Sequence, residues 1–307
     1  MNLKNTLPRI SPLPRSNRGG LLVRLALLAF LGVARAQDEP PSEVPLVEKP
    51  WDELSNKEVS PDGEKALAIA PEKWKHAETD NFILHYRRVT EAHKVAREIE
   101  YDIWFVAKTL GATPDKYKRK SHVFIFEDDT EWQNFLADTE IPSWAGSFAV
   151  GDELFLNVRR SETTGRFDSQ TLAHETTHAV VARLYTTRWP LWLSEGFAEY
   201  MGSASVAARK NETVRGRQHV LEFAGLSLDQ LTAMTRYPDD PIVVTQLYES
   251  AEKLVRFIMN DLPKERFLSF VDAILSGSDL KDAVLKVYGD KFKDFDEFEK
   301  KYDRFTK

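Results

Sequence analysis

Two histidines four residues apart can face one point only if the chain between them is helical. In His174-Glu175-Thr176-Thr177-His178 one turn of helix brings both imidazoles to the same face, and the glutamate beside the first reaches toward the same region. These are the donors that gather a divalent metal such as zinc and place a carboxylate near a metal-activated water. The flanking residues agree with a helix. Asp168 or Ser169 offers a side-chain cap, and Leu172, Ala173, Val180, Val181 and Leu184 supply an apolar side that buries the segment in a core. The chain has no cysteine, so histidine and carboxylate are its only strong metal ligands and disulfides are excluded.

A catalytic zinc site takes three protein ligands and keeps a fourth position for water. Glu195 is the best candidate for the third. It lies in Trp192-Leu193-Ser194-Glu195-Gly196-Phe197-Ala198-Glu199-Tyr200, after a turn at Arg188-Trp189-Pro190 that reverses the chain and opens a second helix. The sixteen residues between His178 and Glu195 suffice to finish one helix, turn and lay another beside it. Glu199 falls one turn beyond Glu195 on the same face, where it can accept the free N–H of a ligating histidine.

The histidine motif followed by Glu195-Gly196-Phe197-Ala198-Glu199 resembles the gluzincin metallopeptidases, the class of thermolysin and aminopeptidase N. More narrowly, residues 192–200 resemble the peptidase MA-like domains. The resemblance implies one zinc ion per chain held by His174, His178 and Glu195, with Glu175 as general base and Glu199 behind the ligands. It also implies that the strand upstream of the active-site helix pairs with the substrate backbone, which here falls on Gly146, Ser147, Phe148 and Ala149. Trp144 and Phe148 are placed to line the cleft. A tyrosine opening a helix in such enzymes faces the zinc and stabilises the oxyanion; Tyr248, in Gln246-Leu247-Tyr248-Glu249-Ser250, holds the matching place, with Tyr237 and Tyr200 as competitors. The sixteen-residue spacing is slightly shorter than in the best-known members, so the two helices must be joined compactly. The hairpin also lacks the acidic residue that anchors a free amino terminus, which favours an endopeptidase over an aminopeptidase.

The expected chemistry is hydrolysis of a peptide or protein substrate, with Glu175 taking the proton of the attacking water and passing it to the leaving amine. The competing class is a zincin-fold binding or structural protein without turnover. Glu175 favours the enzyme, because a scaffold has no physical need for a base at that place.

Residues 1–36 carry six basic and no acidic residues, with an uncharged, mostly apolar run over 25–33 and Ala34-Arg35-Ala36 behind it. This is the layout of a secretory signal peptide, with an apolar run too short for a standard membrane span. The expected location is periplasmic or extracellular. Without that segment the chain has 36 Lys and Arg against 48 Asp and Glu, a net charge of −12, which argues against nucleic acid and anionic lipid as partners.

The proline- and acid-rich stretch that follows is expected to be a flexible linker over 37–73. Strands are expected at 81–86 and 122–126, with a helix between them over 92–110 and a hairpin over 144–158. Helical patterns then dominate, at 220–224, 246–260, 265–275, 280–287 and 292–305. The reading is an α+β fold: a small mixed sheet packed on the active-site helix over 74–203, followed by an all-helical subdomain over 204–307. His85 and His122 read as packed or surface strand residues, and His76, His93 and His219 receive no role.

Overall fold

A computed structural model of the chain describes residues 39–112, 119–159, 168–211 and 225–305. The expected signal segment and the helix expected at 220–224 lie outside the described residues. Six strands form one mixed sheet: β1 (Val47–Glu48), β2 (Lys75–Glu78), β3 (Phe82–Tyr86), β4 (Ser121–Phe126), β5 (Ser147–Val150) and β6 (Glu153–Asn157). Their spatial order is β1-β2-β3-β4-β6-β5. β3, β4 and β6 run parallel, while the β1–β2, β2–β3 and β5–β6 pairs are antiparallel. The mixture follows from the connections. Short turns join β2 to β3 and β5 to β6, a longer segment over 49–74 returns β1 to β2, and β3 reaches β4 through helix α2 (Val89–Thr109), the long crossover that parallel neighbours need.

Alternation along the strands divides the core in two. Phe82, Leu84, Tyr86, Val123, Ile125, Leu154 and Leu156 face one side, where they meet Val95, Ile99 and Ile103 of α2 and Leu172 and Val180 of the motif helix. Phe124, Phe126 and Phe155 face the other, against Ala66 of α1 (Pro61–Ala68) and Trp132 and Phe135 of α3 (Asp129–Ala137). Both faces are covered, so β3, β4 and most of β6 read as near-continuous buried runs.

The motif helix is α4 (Ser169–Leu184), and α5 (Leu191–Arg209) follows it after a short connection. The helical remainder comprises α6 (Leu228–Ala233), α7 (Pro241–Asp261), α8 (Phe267–Leu275), α9 (Leu280–Tyr288) and α10 (Phe295–Arg304). None of the described helices is long and apolar enough to cross a membrane.

Two expectations about organisation are corrected. The stretch expected to be a flexible linker is folded from residue 47 onward. β1 pairs with β2, Leu54 is buried, and α1 starts at Ser60, whose hydroxyl accepts from Gly63 N at 3.1 Å. Ser60 N and Oγ in turn donate to the buried Glu153 at 2.7 and 2.6 Å. Prolines and acids suggested a linker here, but a few apolar residues and one cap suffice to seat it beside α3 on the sheet face. The expected subdomain boundary at 203/204 falls inside α5, and residues Pro41–Lys307 form one compact unit. α5 runs past that boundary and approaches α7 so closely that a Cβ on Gly196 would collide with the Ala251 carbonyl oxygen.

Candidate metal centre

α4 begins where the sequence places it. Asp168 accepts from Gln170 N at 3.0 Å and from Thr171 Oγ1 at 2.6 Å, satisfying groups that the first turn leaves free. At its far end Arg183 donates to Ser121 Oγ and to the Asn81 carbonyl, both at 2.7 Å, which pins the helix to the starts of β3 and β4. α5 begins after Pro190, with Trp189 buried against Tyr185 and Phe197.

Two glycines let α5 approach its neighbours closely enough to deliver its carboxylates. A Cβ on Gly202 would stand 2.9 Å from the Gln170 carbonyl oxygen of α4. A Cβ on Gly196 would collide with the Ala251 carbonyl oxygen of α7 and stand 2.6 Å from its carbon. α5 is thus clamped between α4 and α7, and Glu195 is 2 % exposed.

The outcome is a triangle of ligand atoms. His174 Nε2 and His178 Nε2 are 3.0 Å apart, and Glu195 Oε2 lies 3.5 Å from each. Four ligands at tetrahedral angles and about 2.0–2.1 Å from a zinc ion stand about 3.3–3.4 Å from one another, so these residues fit zinc. His174 Nδ1 faces Glu199 Oε1 at 3.2 Å, and His178 Nδ1 lies 3.3 Å from Ser194 Oγ. With N–H on both Nδ1 atoms, both Nε2 atoms carry lone pairs directed at Glu195 Oε2, itself buried with no hydrogen bond. In that tautomer three acceptors converge, a donor set that suits a cation.

Burial opposes protonation of His174, but Glu195, Glu199 and Glu175 outweigh it and pull its pKa well above the ordinary value. Burial likewise opposes ionisation of Glu195, yet His178 and His174 hold its carboxyl far below the usual range. Glu175 differs. Burial raises its pKa against the pull of the two histidines. Donor atoms of His174, Glu175 and His178 all lie within 4.8 Å of one another, so Glu175 stands beside the triangle. It receives the Ser147 hydroxyl on Oε1 at 3.3 Å.

No protein-family model and no curated protein matches this sequence.

β5 is the end strand of the sheet, paired only with β6 among the described residues. Its alternation sorts the proposed substrate residues. Ser147 turns toward Glu175 and Ala149 packs on the same side as the motif helix, while Gly146 contributes its carbonyl to Asn157 N at 3.0 Å. The Phe148 side chain points the other way, into the cluster of Trp132, Phe135 and Phe155. Phe148 therefore does not line a cleft with its ring, because the pleat that aims Ser147 at the site aims its neighbour at the core. Trp144 is 64 % exposed.

Of the three tyrosines, Tyr200 is committed elsewhere, donating to Asn260 Oδ1 at 3.0 Å. Tyr248 of α7 stands with its ring centroid 6.2 Å from that of His174. Its pKa is raised by burial and then by Glu195 and Glu175, which keeps the hydroxyl a donor. Tyr237, from the connection between α6 and α7, donates to Glu195 Oε1 at 2.7 Å, and burial followed by the Glu195 charge raises its pKa too. The bonds made by Ser194 and Tyr237 were not legible in the sequence. Adjacency to Glu195 was the only signal for Ser194, and nothing local marks Tyr237 as a partner of a residue 42 positions away.

Three other histidines, the half-buried His76 and the buried His85 and His122, form a row. His76 Nδ1 and His85 Nδ1 are 2.7 Å apart, and His85 Nε2 and His122 Nδ1 are 2.8 Å apart. The His85 and His122 ring centroids are 5.1 Å apart, farther than the 4.7 Å between His174 and His178 although their nitrogens are closer. Nitrogens pointing straight at each other share a proton, whereas those of the motif bend toward a common point. His85 and His122 are thus packed residues, as expected, and His76 joins them through a hydrogen bond that the sequence did not suggest.

Proposed function

We propose that this chain is a zinc-dependent peptidase of the gluzincin type, resembling the peptidase MA-like domains, and that it hydrolyses internal bonds of peptide or protein substrates. The observation that carries the reading is the triangle of His174 Nε2, His178 Nε2 and Glu195 Oε2, with edges of 3.0, 3.5 and 3.5 Å and Glu175 beside it. His174, His178 and Glu195 would hold the ion. Zinc, when bound, supplies a Lewis acid that polarises a carbonyl and lowers the pKa of water toward neutrality.

The chain's own groups account for the remaining steps. β5 offers its free edge to an extended peptide, so that backbone hydrogen bonds from Gly146, Ser147, Phe148 and Ala149 lay the scissile bond across the site. Glu175 accepts the proton of the attacking water, held ready by the Ser147 hydroxyl on one oxygen, and passes it to the leaving nitrogen. Tyr248 donates to the carbonyl oxygen as it gains charge. Glu199 keeps the His174 tautomer fixed. The basic and then apolar opening of the chain supports export to a periplasmic or extracellular setting, and the acidic balance argues against nucleic acid as a partner without selecting a substrate.

The test compares zinc content and peptide hydrolysis in the parent and in Glu175→Gln. Both bind close to one equivalent of zinc and only the parent cleaves a mixed peptide library. A parent without zinc, or a zinc-loaded parent that cleaves nothing in the library, would refute the reading.

A further inference from the structure

Glu195 has two carboxylate oxygens with different tasks. Oε2 faces both histidine nitrogens, whereas Oε1 accepts the Tyr237 hydroxyl at 2.7 Å. The donor comes from outside the two helices that carry the ligands. Tyr237 lies between α6, closed by Met234 N donating to the Leu231 carbonyl, and α7, opened by Asp240 accepting from Ile242 N at 2.8 Å. The residue is 48 % exposed, yet its hydroxyl reaches a carboxylate almost sealed from solvent. Its ring rests beside that of Tyr248, with centroids 6.4 Å apart.

A carboxylate with both oxygens free can rotate and offer either or both to an ion. One tied through Oε1 is biased toward offering Oε2. His174 is backed by Glu199 and His178 by Ser194, so a partner on Glu195 completes a set in which each ligand is oriented by one outer group.

We propose that Tyr237 is the positioning residue of the centre: by holding Glu195 Oε1 it leaves Oε2 alone to coordinate, while Tyr248 is left for substrate. This rests on the zinc reading above. It assigns different readouts to the two neighbouring tyrosines. Tyr237 sets metal affinity and coordination mode, and Tyr248 sets turnover.

The experiment uses the full chain, freed of metal and titrated with zinc against a chromophoric chelator, and separately with cobalt(II), whose visible spectrum reports coordination number. Tyr237→Phe binds zinc about ten- to a hundred-fold more weakly than the parent, with an altered cobalt spectrum and an unchanged melting temperature of the metal-free protein. Tyr248→Phe keeps the parent's zinc affinity and cobalt spectrum and loses turnover. If Tyr237→Phe matches the parent in both zinc affinity and cobalt spectrum, the positioning role is overturned while the zinc reading stands. If the parent itself takes up no zinc, the zinc reading falls and this role falls with it.

Discussion

Acid should unfold this protein partly through one buried ring. His122 is 1 % exposed and shares a hydrogen bond with His85, which shares another with His76. Burial is the main cause that pushes its pKa down from 6.5 to about 4; Asp152 and the Glu58 carbonyl oppose the shift, while Arg119 and His76 reinforce it. A pKa lower in the folded state than in the unfolded one means that the unfolded chain binds the proton better. The stabilisation is therefore complete above pH 6.5 and is lost as pH falls toward 4. At 1.36 kcal/mol per unit, the loss from this group is about 2 kcal/mol by pH 5 and about 3 kcal/mol by pH 4. His85, also far below its ordinary value, adds in the same direction. Asp102, held up to about 7 chiefly by burial, acts in the opposite sense over much of the same range, and Glu78, held near 2, acts below it.

A difference between two proteins removes the contributions of Asp102 and Glu78 and the burial part of His85, leaving His122 and its own effect on His85. In His122→Asn the amide oxygen replaces Nδ1 as a partner for His85 while the titration disappears. Urea unfolding of both proteins at pH 7, 5 and 4, each with chelator so that metal is not a variable, gives the free energy at each pH. The variant starts less stable at pH 7, and its gap to the parent narrows by about 2 kcal/mol at pH 5 and about 3 kcal/mol at pH 4. Parallel curves for parent and variant would show that His122 titrates alike in both states and would refute the argument.

Two further outcomes follow from the helix clamp and the ligand backing. Gly196→Ala drives a methyl into the Ala251 carbonyl, so α5 must shift away from α7; the expected cost is about 1–3 kcal/mol, read as a lowered melting temperature, together with reduced zinc content because Glu195 moves with the helix. Glu199→Ala leaves His174 Nδ1 without its carboxylate and lowers zinc affinity about ten- to a hundred-fold with little change in the melting temperature of the metal-free protein, measured by chelator competition and thermal unfolding.

The helices were legible because their signals are short-range. His174 and His178, or Glu195 and Glu199, share a face through the helical repeat alone, and the Asp168 cap and the Pro190 turn lie within a few residues of what they start. The expected strands and the 144–158 hairpin appear within a few residues of the expected places, as does the crossover helix, since each carries its own periodicity. The folded segment at 47–73 was not legible, because its order comes from docking Leu54, Ser60 and Ala66 onto a distant sheet face. The Phe148 ring was misplaced because a strand's period shows which residues alternate, not which set meets the core.

By itself the sequence determined the donors: which side chains carry lone pairs, which pairs lie on one face, and that no thiol competes. Only the tertiary structure decided that they converge. Glu195 Oε2 reaches both histidines because Gly202 and Gly196 let α5 lie almost in contact with α4 and α7, and strand pairing across the sheet brings His76, His85 and His122 together. Helical periodicity is fixed by bonds four residues apart. An angstrom-scale meeting of residues 174, 178, 195 and 237 is fixed by close packing among helices, and that exists only once the whole core has formed.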